Sequence, residues 1–219
     1  MEGSLSQLSQ VKPGGHELRR EVVVHHQRER ILGAVVDLVA ESGYRALTVA
    51  TLLKRAGISK LKFYELFHSK QDAFLAAYDA GLADAAGQVR EALAAAGDSP
   101  AERVDTGIAA LLGFLDERPA LARAAVLEAP SLGPAMGERR QATIDAFAVL
   151  LAGAREAGGD AELPDNLEES VLDGLYWLVY DAVLTGKPKR LAGLRPALVE
   201  FALVPFVGPL AAVQAAADS

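Results

Sequence analysis

From Ile31 onward, apolar positions fall at helical spacing. Ile31, Leu32, Val35, Val36, Leu38 and Val39 follow i, i+1, i+4, i+5, i+7, i+8, which lines them along one face of a helix. Gly43 stands where such a helix stops. A second stripe, Val49, Leu52, Leu53 and Ala56, keeps the i, i+3, i+4, i+7 pattern; Thr48 is placed to cap it and Gly57 to end it. Ile58 is apolar within the turn and plugs the gap between helices. Ser59 then caps a short helix that carries Phe63 and Phe67 at i, i+4. Ser69 with Asp72 reads as a capping box, Asp in place of Glu, for a long fourth helix burying Phe74, Ala77, Tyr78, Gly81 and Ala85.

Helix starts remain legible further on. Ser99-Pro100-Ala101-Glu102 combines a cap, a proline at the first helical position and a capping-box Glu. Pro119 opens a short helix that ends before Pro130, and a single helix is expected from Pro134 to Ala157, stopped by Gly158 and Gly159. Asp165 with Glu168 opens another that ends at Gly186. The last is expected over Lys189 to Val204, bent at Pro196 and ending near Pro205. No strand pattern or internal repeat emerges, so the fold class is all-α. The organisation expected is a flexible tail over 1–24, a three-helix head over 25–72 and a helical body over 73–219, the join falling inside the fourth helix.

Composition narrows the class. At 219 residues the chain is long enough to bury a real core. It has no Cys, hence no disulfide, thiolate metal site or cysteine nucleophile. No apolar run approaches the ~20 residues of a membrane span, and the polar N-terminus lacks the apolar stretch of a secretory signal; a cytoplasmic protein is expected, with no membrane partner. The net charge of −7 conceals an asymmetry. Residues 19–70 hold ten basic and five acidic side chains, whereas residues 71–219 hold eleven basic and twenty-two acidic. A basic head on an acidic body leaves the head as the part able to meet a phosphate backbone.

Thr48–Lys70 has the form of a helix-turn-helix, which reads DNA by laying its second helix in the major groove. With Phe63 and Phe67 turned inward, Lys60, Lys62 and Tyr64 face outward, and their donors suit phosphate oxygens. The helix starts at Thr48 and Ser69 offer free N–H groups, with Lys70 beside the second. Arg30-Ile31-Leu32, Glu41-Ser42-Gly43-Tyr44, Thr48, Ala56-Gly57-Ile58-Ser59-Lys60, Phe63-Tyr64, Phe67 and Ser69-Lys70 together resemble the DNA-binding head of TetR-family regulators. The resemblance implies DNA contacts, mostly to phosphate, from Thr48, Ser59, Lys60, Lys62, Tyr64, His68 and Lys70. Leu61 and Lys62 depart from it, standing where the family often has Gly and a small or neutral polar residue. The basic run Arg19, Arg20, His25, His26, Arg28 and Arg30 is either a solvated surface or a minor-groove arm.

The same resemblance implies a ligand-responsive repressor, acting as a homodimer on a near-palindromic double-stranded operator, with no cofactor. The dimer would form through the last two helices, about 167–207. Leu167–Thr185 and Leu191–Val207 are indeed apolar over more than one face, and Gly174 and Ala182 are small enough for close helix approach. Phe114, Leu115, Met136, Phe147, Leu151, Trp177 and Tyr180 are the candidates for lining a pocket that takes an apolar or amphipathic small molecule. An activator or a ligand-independent regulator of the same fold is the alternative, and a helical enzyme or protein-binding adaptor a remote one. Enzyme signatures are missing: His25-His26 lacks the i, i+4 spacing of a helical metal pair, and Glu168-Glu169 suits a helix start.

Overall fold

The computed structural model describes residues 14–158 and 163–217, all helices and their connections. Of the tail expected over 1–24, residues 1–13 lie outside the described residues, and from Gly14 the chain is already helical. α1 spans Gly14–Ser42, because Arg, Glu and Gln are good helix formers and no proline or glycine intervenes between Gly15 and Gly33. Among its described side chains Val22 and Val23 are more than half exposed, and Ile31 is the first in the buried core.

α2 (Val49–Ala56) and α4 (Lys70–Ala94) pack on α1, and α3 (Lys60–Leu66) joins the same core through Phe63. The turn between α2 and α3 rests on two devices. Gly57 adopts a left-handed conformation (φ 62°) that a Cβ disfavours, and its N–H closes α2 onto the Leu53 carbonyl. The Arg30 guanidinium donates to the carbonyls of Ala56 and Gly57, placing a cation on the open C-terminus of α2. Val35, Val39, Leu47, Leu52, Phe63, Phe67 and Phe74 form the buried head core, which runs on past residue 72 to Ala77.

The body comprises α5 (Pro100–Glu117), α6 (Pro119–Ala122), α7 (Gly137–Phe147), α8 (Ala154–Ala157), α9 (Leu167–Thr185), α10 (Arg195–Val207) and α11 (Pro209–Ala217). α6 continues as a π-helical turn, Arg123–Glu128, and then as 3-10 turns over Ala129–Met136. The single helix expected from Pro134 to Ala157 is therefore broken. α7 ends at Phe147, tightens to a 3-10 turn over Ala148–Leu151, and Gly153 (φ 82°) interrupts the chain before α8. α5 begins at the expected proline, yet the Ser99 side chain makes no capping bond. α9 is preceded by Asn166, again without a side-chain cap, in place of the expected Asp165. Pro196 lies in the first turn of α10, where it needs no N–H partner, so it opens the helix and does not bend it. α11 was not expected: Gly208 and Pro209 read as a stop, but Gly208 turns the chain (φ 80°) and Pro209 starts a new helix.

A Cβ added at Gly57 would lie 2.7 Å from Arg30 Nη2, in addition to the positive φ. Gly57→Ala is expected to lower stability by ~1–2 kcal/mol, read as a lower urea midpoint with an unchanged slope.

Candidate nucleic-acid interface and ligand cavity

α3 is held by its inner face and open on its outer one. Phe63 and Phe67 are fully buried with ring centroids 5.9 Å apart, and Arg28 stacks its guanidinium 4.9 Å from the Phe67 ring. Ser59 Oγ accepts from Lys62 N at 3.2 Å, fixing the start of the helix. Lys60 and Tyr64 are exposed, and Leu61 is 74 % exposed, an unusual position for a leucine. Lys62 is already engaged: its Nζ donates to Glu65 Oε2 at 2.9 Å. At the start of α2, Thr48 Oγ1 accepts from Thr51 N at 3.1 Å while Thr51 Oγ1 accepts from Thr48 N at 3.2 Å.

The α3–α4 link brings up the remaining expected residues. Ser69 Oγ accepts from Asp72 N at 3.0 Å, but the Asp72 carboxylate reaches one residue further back than a capping box requires, to the N–H of His68 at 2.8 Å. His68 is exposed. Lys70 turns inward: its ammonium donates to Leu47 O at 2.7 Å and Tyr44 O at 3.4 Å and sits 4.7 Å from the Tyr44 ring centre. It ties α4 to the turn ahead of α2, with two of its three donors spent inside the protein.

The body holds a half-open cavity of about 590 Å³ between α4, α5, the π turn, α7, α9 and α10. Ile108, Leu112, Leu115, Leu172, Leu175 and Leu198 supply much of its wall. Polar groups are few. Thr143 Oγ1 donates to Arg139 O (2.8 Å), so the 2.8 Å bond to Tyr78 has the tyrosine hydroxyl as donor. Tyr176 donates to Val126 O at 2.8 Å, and burial pushes its phenol up to about 12. Arg140 pairs with Glu169 at 3.2 Å and with Asp173.

The π turn connects the cavity to the head. Ala125 and Val126 line the cavity and Ala124 belongs to the head core, while Ala129, just past the turn, does both. At its end, Glu128 Oε2 accepts from the backbone N–H of Tyr44 at 2.9 Å, across 84 positions of sequence. The Tyr176 hydroxyl thus bonds a carbonyl within the π turn itself.

Comparison with known proteins adds the family. Residues 31–77, which build the head, match the model of bacterial regulatory proteins of the tetR family. Residues 31–77 therefore carry the DNA-binding head of a tetR-type regulator. No curated protein matches the sequence. The fold is similar to that of the fatty acid degradation regulator FadR from Bacillus halodurans, with a TM-score of 0.66 at 19 % identity, over 82 % of this chain and 98 % of that one. Bacillus subtilis FadR, solved in complex with stearoyl-CoA, gives 0.66 at 18 %, over the same shares. A TetR-family regulator from Marinobacter aquaeolei VT8 gives 0.63 at 20 %, over 90 % and 97 %. The head is thus that of a bacterial DNA-binding regulator, and the body shares its helical fold with the C-terminal parts of such regulators.

Within the body, Phe114, Leu115, Met136, Phe147, Trp177 and Tyr180 line the cavity. Leu151 does not; it is buried in the core, and its neighbour Leu150 takes the cavity position. The cause is the 3-10 turn over Ala148–Leu151, which shifts the helical phase assumed from sequence. Tyr78, Thr143, Arg140, Asp173 and Tyr176 were missed as lining residues. For Asp173 and Tyr176 a signal existed, since they share with Tyr180 one face of α9 at i, i+3, i+7. Among the described residues no helix is long and apolar enough to cross a membrane, and no cluster of potential ligands could hold a metal ion.

The Tyr176 phenol ionises near 10 when unfolded and about 12 when folded, so its contribution is whole below pH 10 and lost as pH climbs toward 12. Tyr176→Phe should cost ~1–2 kcal/mol at about pH 8 by orphaning the Val126 carbonyl. The gap to wild type should narrow at about pH 11, as measured by urea unfolding at both values.

Proposed function

We propose that this regulator is a ligand-responsive repressor, working in the cytoplasm as a homodimer on a near-palindromic operator. The observation that carries this reading is the Arg123–Glu128 turn, which lines the cavity on one side and holds the head by Tyr44 on the other. A molecule filling the cavity would displace Ala125 and Val126 and move Glu128 with them. The two heads of a dimer must match half-sites ~34–36 Å apart, so a small shift in either favours the unbound state. The working division is a head ending within α4 and a body beyond it.

The DNA-facing set in this reading is Thr48, Ser59, Lys60, Lys62, Tyr64 and His68, with Lys70 serving chiefly to fix the turn between α1 and α2. The dimer face is the outer side of α9 and α10, where Leu184 and Phe201 are 56 % and 41 % exposed. Exposed apolar side chains of this size on adjacent helices mark an association surface. Gly174 serves the protomer itself, since a Cβ there would meet the Phe201 ring at 2.3 Å. The nearly unbroken apolar wall fits an apolar or amphipathic effector, in keeping with the stearoyl-CoA seen in the structurally similar Bacillus subtilis FadR.

Lys60→Ala and Tyr64→Phe should each weaken binding to DNA from upstream of the gene about three- to tenfold in fluorescence anisotropy at physiological salt. Wild-type affinity in both would overturn the assignment of α3 as the reading helix. Phe201→Glu should halve the mass found by light scattering from twice the 23.0 kDa protomer to the protomer itself. A wild type that already runs as a monomer would remove the homodimer.

A further inference from the structure

The polar groups of the cavity are biased in one direction. The hydroxyls of Tyr78 and Tyr176 spend their hydrogens on Thr143 and on the Val126 carbonyl, which leaves lone pairs, not donors, for an occupant. Arg140 is the lining cation, and it is divided between two carboxylates, Asp173 and Glu169, so the three groups together carry one net negative charge. Asp173 uses Oδ2 on Arg140, and Oδ1 has no partner among the described residues. One and two turns along α9 stand Tyr176, Trp177 and Tyr180, with ring centroids 5.1 to 6.2 Å apart. Residues at i, i+3 or i+4, and i+7 share a helix face, so a carboxylate and an aromatic cluster adjoin on one wall.

Acceptors, aromatic faces and surplus negative charge select the same kind of headgroup. A cation held over aromatic rings gains ~0.5–2 kcal/mol per favourable contact, and a nearby carboxylate adds to it. An anionic head would find no unshared cation in the lining, inside a body whose acidic side chains outnumber its basic ones two to one. We propose that the cavity takes a lipophilic cation, an organic ammonium on an apolar tail or ring system, with Asp173 as counter-ion and the Tyr176–Trp177–Tyr180 cluster as its cradle. The assignment rests on the cavity being the effector site, and it sets this chain apart from a regulator that takes an acyl-CoA.

The test compares decyltrimethylammonium, decan-1-ol and decanoate below their micelle concentrations, by calorimetry on the full chain. Quenching of Trp177, the sole tryptophan, gives a second readout located in the cavity wall. The ammonium is expected to bind about tenfold tighter than the alcohol, and the carboxylate more weakly than either. Asp173→Asn should lower ammonium affinity about tenfold while sparing the alcohol. Arg140→Gln, which frees Asp173, should raise it. Decanoate binding as tightly as the ammonium, or Asp173→Asn weakening alcohol and ammonium equally, would overturn the cation assignment and leave the effector cavity standing. No binding by any of the three, with Trp177 emission unchanged, would remove the cavity as an effector site and the assignment with it.

Discussion

The bond from the Tyr44 amide to the Glu128 carboxylate is the point at which the two halves of this protein hold each other. It would mean little on a flexible segment. Glu128 instead ends a π turn in which Ala124 is buried in the head core and Val126 in the body core, and Ala129 directly after it is buried in the head core as well. Tightly packed interiors deform poorly, so a displacement on one side of this turn must appear on the other. α4 provides the second connection, contributing Phe74 and Ala77 to one core and Ala85, Val89 and Leu93 to the other. With α4 as a stiff arm and the π turn as a clamp, the head can tilt as a unit but cannot slide freely.

The head was largely legible in the sequence because local rules determine it. Thr48, Ser59 and Ser69 cap the helices that they introduce, Gly57 takes the left-handed turn, and Phe63 and Phe67 fill the core. The pairing of charges was not legible. Lys62 and Lys70 both look like free cations in the one-dimensional pattern. Folding brings Glu65 to the first and two carbonyls to the second, and the latter depends on contacts 23 and 26 positions away.

The body was legible in outline and not in phase. Helical segments were found because prolines and glycines punctuate them, yet punctuation does not report whether a helix narrows or widens inside. The π turn at Arg123–Glu128 and the 3-10 turn at Ala148–Leu151 each rotate the residues beyond them, and the second moved the cavity position from Leu151 to Leu150. Neither has a composition signal, since packing against α9 and α5 selects them. α11 was hidden for the opposite reason: its opening proline reads as a terminator unless the preceding glycine is known to turn the chain.

The Lys62–Glu65 pair has a consequence for how such a protein finds its site. A cation that already holds a carboxylate still releases a condensed counterion when it reaches a phosphate, but it must first give up that carboxylate, which offsets part of the gain. On a random stretch of duplex that exchange gains little, so α3, as the proposed reading helix, would linger less there than its lysine count implies. At a site whose groove rewards the freed ammonium, the exchange proceeds. In a genome offering ~10⁶–10⁹ wrong positions, holding one charge in reserve shortens the time lost on each of them.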